Sequence, residues 1–195
     1  MLKKSTWKVV EKKIAEQLNI YFNEIGMKEI ARIPILGRNG PDLTVNESGL
    51  LIDVKHRLSN PKFLQMEDGQ VAKVGHSLLA VKVKDIYSLA ETDRIDVALR
   101  GSRLVHKYYD HMHSHSREKK YMPNGNAIPC IILHYPNHEY KDSILIIGKN
   151  DRSLLNERIS SARAKHRKDT TGKDKSRART PKADGDGEPV ASAKE

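Results

Sequence analysis

The sequence predicts an α/β fold. An amphipathic helical pattern opens the chain, a series of short alternating or apolar runs bounded by turn residues follows, and a capped helical pattern closes the hydrophobic part. The 195 residues are 37% hydrophobic and 31% charged, which suits one domain with a modest core. That domain is expected over 1–162. Residues 163–195 have no aromatic and one large aliphatic, Val190, so this basic-then-acidic tail is expected to be disordered.

Lys4 to Asn19 reads as the first helix, with Trp7, Glu11, Ile14 and Leu18 on one face. Glu29 to Leu36 reads as a strand, followed by the turn Gly37-Arg38-Asn39-Gly40-Pro41. Asp42 to Val45 and Leu50 to Lys55 alternate around Asn46-Glu47-Ser48-Gly49, which is a hairpin signal. Ser77 to Val83, Cys130 to Tyr135 and Ser143 to Gly148 read as further strands, and Asp85 to Ala90 and Asp96 to Tyr109 as helices. His111 to Asn126 reads as a long polar loop. Asp151 caps a closing helix to Ser161 that carries Leu154, Leu155 and Ile159.

Charge and composition narrow the function. The chain carries +10. The tail holds ten Lys/Arg against six Asp/Glu, so residues 1–162 keep +6 and are basic in their own right. An excess of this kind favours a polyanionic partner, nucleic acid first; the alternative is a solvated surface with a basic tail. No run reaches the ~18–20 apolar residues that span a bilayer, so no membrane partner is expected. No apolar stretch follows the lysines of Met1 to Val10, so no secretory leader is expected either. The single cysteine, Cys130, excludes an internal disulfide and fits a reducing cytoplasm. Between Pro129 and an Ile-Ile-Leu run it reads as a small buried hydrophobe. Gly-rich phosphate-binding loops are missing, which removes support for nucleotide-driven motors and dinucleotide enzymes.

The chemistry concentrates in the hairpin. Its alternation sets Leu43, Val45, Leu50, Ile52 and Val54 on a core face, and Asp42, Thr44, Leu51, Asp53 and Lys55 on the other. Val45 then opposes Leu50, and Asp42 opposes Asp53. Directly opposed carboxylates stand ~4.5–5.5 Å apart at Cβ and repel, so something must compensate. A divalent cation does so, and Mg²⁺, with Mn²⁺ as substitute, suits two aspartates completed by water and a substrate phosphate. Lys55 shares the face and is placed to orient an attacking water. Glu11, a carboxylate inside an apolar stripe, is costly unless paired or near a cation, so it joins the candidates, its helix packing over this face. The alternative makes Asp42 a turn residue and Asp53 a partner of Lys55, and leaves Glu11 unexplained.

Glu11, Pro41-Asp42 and Asp53-Val54-Lys55, in this order, resemble the PD-(D/E)xK nuclease signature, and among its members the small Holliday-junction-resolvase-like and phage-type endonucleases. The resemblance covers about Lys3 to Arg57. It implies a restriction-endonuclease-like core with a mixed central sheet flanked by helices, and Mg²⁺-dependent hydrolysis of DNA phosphodiesters, extending to branched DNA. It makes Asp42 and Asp53 metal ligands with the Val54 carbonyl assisting, Lys55 the water-orienting residue and Glu11 a helix-borne acid. It also implies a homodimer and a prokaryotic or phage-infected cytoplasm. The third motif has Asp53 where Glu is commoner, and the shorter arm shifts the expected metal position.

Arg38, His56 and Arg57 flank the motifs and are candidate phosphate contacts. His76 reads as a loop residue. The His111-x-His113-x-His115 run, with His106 upstream, raises a zinc reading, but alternate spacing on a loop without a cysteine is usually just polar. Two functions remain: a metal-dependent endonuclease, and a non-catalytic basic nucleic-acid-binding protein on a nuclease-like scaffold.

Overall fold

The computed structural model describes residues 7–27, 31–32, 41–44, 49–56, 66–92, 94–99, 103–118 and 127–177. The first helix, α1 (Trp7–Glu24), buries Val10, Glu11, Ile14, Leu18 and Phe22. Trp7, expected on that face, is 53% exposed at the first position of the helix. The helix runs past Asn19 and ends in a Schellman motif: Gly26 takes φ 72°, its N–H donates to Asn23 O at 3.0 Å, and Met27 N–H donates to Phe22 O at 3.0 Å.

Strands follow at β1 (Ala31–Arg32), β2 (Leu43–Thr44), β3 (Leu50–His56), β4 (Ala72–Val74), β5 (Leu78–Lys82), β6 (Val97–Leu99), β7 (Ile128–His134) and β8 (Ile144–Gly148), with helices at α2 (Ser88–Glu91), α3 (Arg103–His115) and α4 (Arg152–Arg177). Among the described residues the strands form one sheet in the order β1-β2-β3-β7-β8-β5-β4-β6. The sheet is mixed: β3 runs parallel to β7 and β4 to β6, and the other neighbours are antiparallel.

The sheet centre is apolar on both faces, as strands covered on both sides require. On one face Leu43, Leu50, Ile52, Ile128, Cys130 and Ile132 pack with Val10, Ile14 and Leu18 of α1 and with Leu155 and Ile159 of α4. On the other, Leu51, Ile131 and Leu133 pack with Val105, Tyr109 and Met112 of α3. Cys130 is fully buried, as expected, and burial pushes its thiol pKa well up. The structure is thus α/β, a mixed sheet flanked by helices. No helix among the described residues is long and apolar enough to cross a membrane.

Several elements differ from the sequence expectation. Asp96–Leu99 is not the start of a helix: Val97–Leu99 is an edge strand pairing with β4, and α3 begins at Arg103. The helix expected over Asp85–Ala90 is a 3₁₀ turn, Val83–Asp85, and a single α-turn, α2. The expected loop from His111 begins as the last turns of α3. The tail expected to be disordered from Arg163 continues as α4 to Arg177. Its last buried side chain among those described is Ile159. A helix already nucleated by packed residues adds Ala-, Lys- and Arg-rich turns at little further cost. Residues 178–195, the hairpin tip 45–48, and all of the Glu29–Leu36 strand except Ala31–Arg32 lie outside the described residues.

Candidate active site

The β2–β3 register is the one the alternation demands: Leu43 pairs with Ile52 and Thr44 with Leu51. One residue earlier the ladder departs from regularity. The chain bends at Asp42, whose N–H donates to Ile52 O at 2.8 Å. Val54 N–H then donates at 2.7 Å to the Asp42 carboxylate, Oδ2, instead of to a main-chain carbonyl. The side chain of Asp42 therefore stands in for the backbone and is fixed beside Asp53 and the Val54 main chain.

The two carboxyl groups share a buried space. Asp42 is at the margin of burial and Asp53 only 3% exposed. The Asp42 pKa is pushed up to about 7. Burial is the first cause; the Val54 N–H opposes it, and the charges of Asp53 and Glu11 and a side-chain hydrogen bond with Asp53 push it further up. Lys55 Nζ lies 2.7 Å from Asp53 Oδ2. The contact is an ion pair without hydrogen-bond alignment, since that oxygen has no hydrogen-bond partner among the described residues. The Lys55 ammonium also sits 5.1 Å from the centre of the Tyr108 ring, on α3.

Glu11 is 3% exposed and near enough for its charge to act on Asp42. Its helix does not cover the face expected: α1 packs on the side of Leu50 and Ile52, whereas Leu51, Asp53 and Lys55 face α3. Glu11 thus acts on Asp42 from the α1 side of the sheet.

His56 falls on the α1 side by the same alternation, away from Lys55. Its ring stacks on His134 at 5.6 Å, and its buried Nδ1 has no hydrogen-bond partner among the described residues. His134 stacks in turn on Tyr140 at 4.4 Å, and its Nδ1 is 2.9 Å from Ser143 Oγ. Burial first, then the charges of His56 and His138, lower the His134 pKa to about 4, so this ring offers no cation to a phosphate at neutral pH. Arg38 and Arg57 lie outside the described residues.

Tyr108 is the contact that sequence reading missed. Once α3 begins at Arg103, Val105, Tyr109 and Met112 form its buried stripe and Tyr108 falls beside it, toward Lys55. A helix started at Asp96 hides that phase.

Among the described residues no group of three or more His, Cys, Asp or Glu is set to hold a metal ion. The Asp42–Asp53 pair fits an ion bound by two carboxylates and otherwise by water and phosphate, which is what Mg²⁺ accepts. The two carboxyl groups, buried together with a pKa pushed up at Asp42 by burial first and then by the charge of Asp53, are the observation that supports the fit. Compared with known proteins, the chain matches no family model, no curated protein and no solved structure.

Proposed function

We propose that the chain is a Mg²⁺-dependent endonuclease that hydrolyses DNA phosphodiester bonds, with branched DNA among its substrates, on a restriction-endonuclease-like core. The observation that carries the reading is the buried Asp42–Asp53 pair with the Lys55 ammonium 2.7 Å from Asp53. Buried like charges cost stability, and a fold that holds them together gains from the arrangement only when a cation or proton joins them.

Asp42 and Asp53, with the Val54 carbonyl, would hold the ion. When bound, Mg²⁺ supplies charge neutralisation for the phosphate and lowers the pKa of water. Lys55 holds the nucleophilic water and stabilises negative charge developing on the non-bridging phosphate oxygens, because its ammonium is fixed between Asp53 and the Tyr108 ring. Glu11 adds negative potential that strengthens cation binding at Asp42. The net charge of +10 favours the DNA backbone, so binding weakens steeply with salt. A second copy of the chain and a cytoplasmic setting belong to the same proposal.

The test is incubation of the full chain with supercoiled, linear and four-way-junction DNA, with Mg²⁺ or with EDTA. Cutting that needs Mg²⁺ and disappears in Asp53→Ala and Lys55→Ala, with DNA binding retained, is the expected result. A non-catalytic nucleic-acid binder is the second reading, favoured by the exposed basic stretch of α4 past Ile159. It predicts no cutting under any condition and a strong loss of binding when residues 163–195 are deleted.

A further inference from the structure

His111, His113 and His115 occupy the last turns of α3, and a helix gives them a geometry that a loop would not. His111 and His115, four residues apart, share a face. His113 turns elsewhere, its ring 6.2 Å from that of Tyr109. The Nε2 atoms of His111 and His115 face each other at 3.3 Å, with the two rings close to perpendicular at 86°. The other ring nitrogen of His115, Nδ1, lies 2.5 Å from Glu118 Oε1. Glu118 is held there by its own N–H, which donates to His115 O at 2.9 Å.

The carboxylate fixes the chemistry of the pair. With Nδ1–H donated to Glu118, a neutral His115 carries its lone pair on Nε2, aimed at His111. Two nitrogens each ~2.0–2.1 Å from a tetrahedral Zn²⁺ stand about 3.3–3.4 Å apart, which is the spacing found. A carboxylate on the far nitrogen is the partner that orients a metal-binding imidazole and raises its basicity. The C-terminal end of α3 adds the negative end of the helix dipole.

We infer that His111 and His115 form a two-histidine site for a borderline transition-metal dication, Zn²⁺ or its neighbours Ni²⁺ and Cu²⁺, with Glu118 as the residue that positions His115. Imidazole nitrogens select these ions over Mg²⁺, so the site differs in kind from the aspartate pair. Among the described residues no third side chain completes it, so water fills the remaining positions. The ion ties successive turns at the end of α3, about 7–8 Å along the helix from Tyr108.

The test is calorimetric titration of the metal-free full chain with Zn²⁺ and, separately, Mg²⁺, with circular dichroism confirming the fold of each variant. Repeating it in Asp53→Asn removes the acidic pair, so failure there and failure here are told apart. One Zn²⁺ is expected to bind in both backgrounds, with Mg²⁺ not competing. His111→Ala and His115→Ala should each weaken Zn²⁺ binding tenfold or more, Glu118→Gln by about tenfold, and His113→Ala not at all. No saturable Zn²⁺ binding, unchanged affinity in His111→Ala and His115→Ala, or an equal loss in His113→Ala would overturn the assignment.

Discussion

Asp42 and Asp68 each sit among other charged groups, yet their carboxyl protons respond in opposite directions. Asp68 is exposed and bridges Lys82 and Lys84, both at 2.6 Å, and these lysines hold its pKa down to about 2. Lys84 reaches on to Asp142 at 2.8 Å, so the cluster alternates in sign. Asp42 is buried with Asp53 and within reach of Glu11, and its pKa rises to about 7. The first arrangement is what solvent and local charge produce in any basic surface. The second keeps like charges together where water cannot separate them, which folding alone does not reward. The difference is what supports the proposal of a ligand site at the β2–β3 pair.

The contrast can be broken most severely by activity. Asp53→Asn should lower Mg²⁺-dependent DNA cleavage by about 10³-fold or more, and Lys55→Ala by about 10²–10³-fold, whereas Asp68→Asn should leave the rate unchanged. Gel assays of plasmid nicking read all three.

Stability should respond with the opposite sign. The folded-state pKa of Asp42 lies above its unfolded value of 3.8, so its contribution is fully present below pH 3.8 and lost as pH rises through about 7. Asn at position 42 can still accept the Val54 N–H and can donate to Asp53. Asp42→Asn is therefore expected to stabilise the metal-free fold at pH 8, by on the order of 4 kcal/mol, while abolishing cleavage. Thermal melts from pH 4 to pH 8 should show the wild-type chain losing stability relative to the variant. For Asp68 the sign reverses: its folded pKa is lowered, so its contribution is present above 3.8 and fades as pH falls through about 2. Asp68→Asn should shift the melt only slightly, because solvent screens the exposed pair.

Metal binding sharpens the same contrast by a smaller amount. A cation at the aspartate pair must displace the Asp42 proton, so the rise in Tm on adding Mg²⁺ should be larger at pH 8 than at pH 6, and absent in Asp42→Asn. The smallest effect concerns Tyr108. Tyr108→Phe should retain most activity because the ring face remains for Lys55, and Tyr108→Ala should cost about 1 kcal/mol of its positioning, read as a several-fold lower rate.

The hairpin was legible because period-two alternation admits one register, and a slip would have put Leu43 and Ile52 in the wrong layer. Burial of Glu11 was legible from its place on the stripe that continues through Ile14 and Leu18. Which face α1 covers was not, because that depends on how the chain crosses the sheet and leaves no periodic trace in the helix itself. The bend at Asp42 was also hidden: an aspartate that replaces a backbone acceptor looks in sequence like one that merely follows a turn. The three-residue strands β4 and β6 are too short to show alternation and exist through pairing with each other and with β5. His56 alternates with Lys55 along β3, so its separation from the site follows from the pleat once the strand is known to continue that far. In α4 low hydrophobicity past Ile159 marks the end of packing, while the helix itself continues to Arg177.

Anomalous scattering from crystals grown with Mn²⁺ tests the central claim most directly. A peak between the Asp42 and Asp53 carboxyl groups, beside the Lys55 ammonium and missing in Asp53→Asn, is the predicted result. Well-ordered carboxylates at that position with no peak between them, at a Mn²⁺ concentration that supports DNA cleavage, would contradict it.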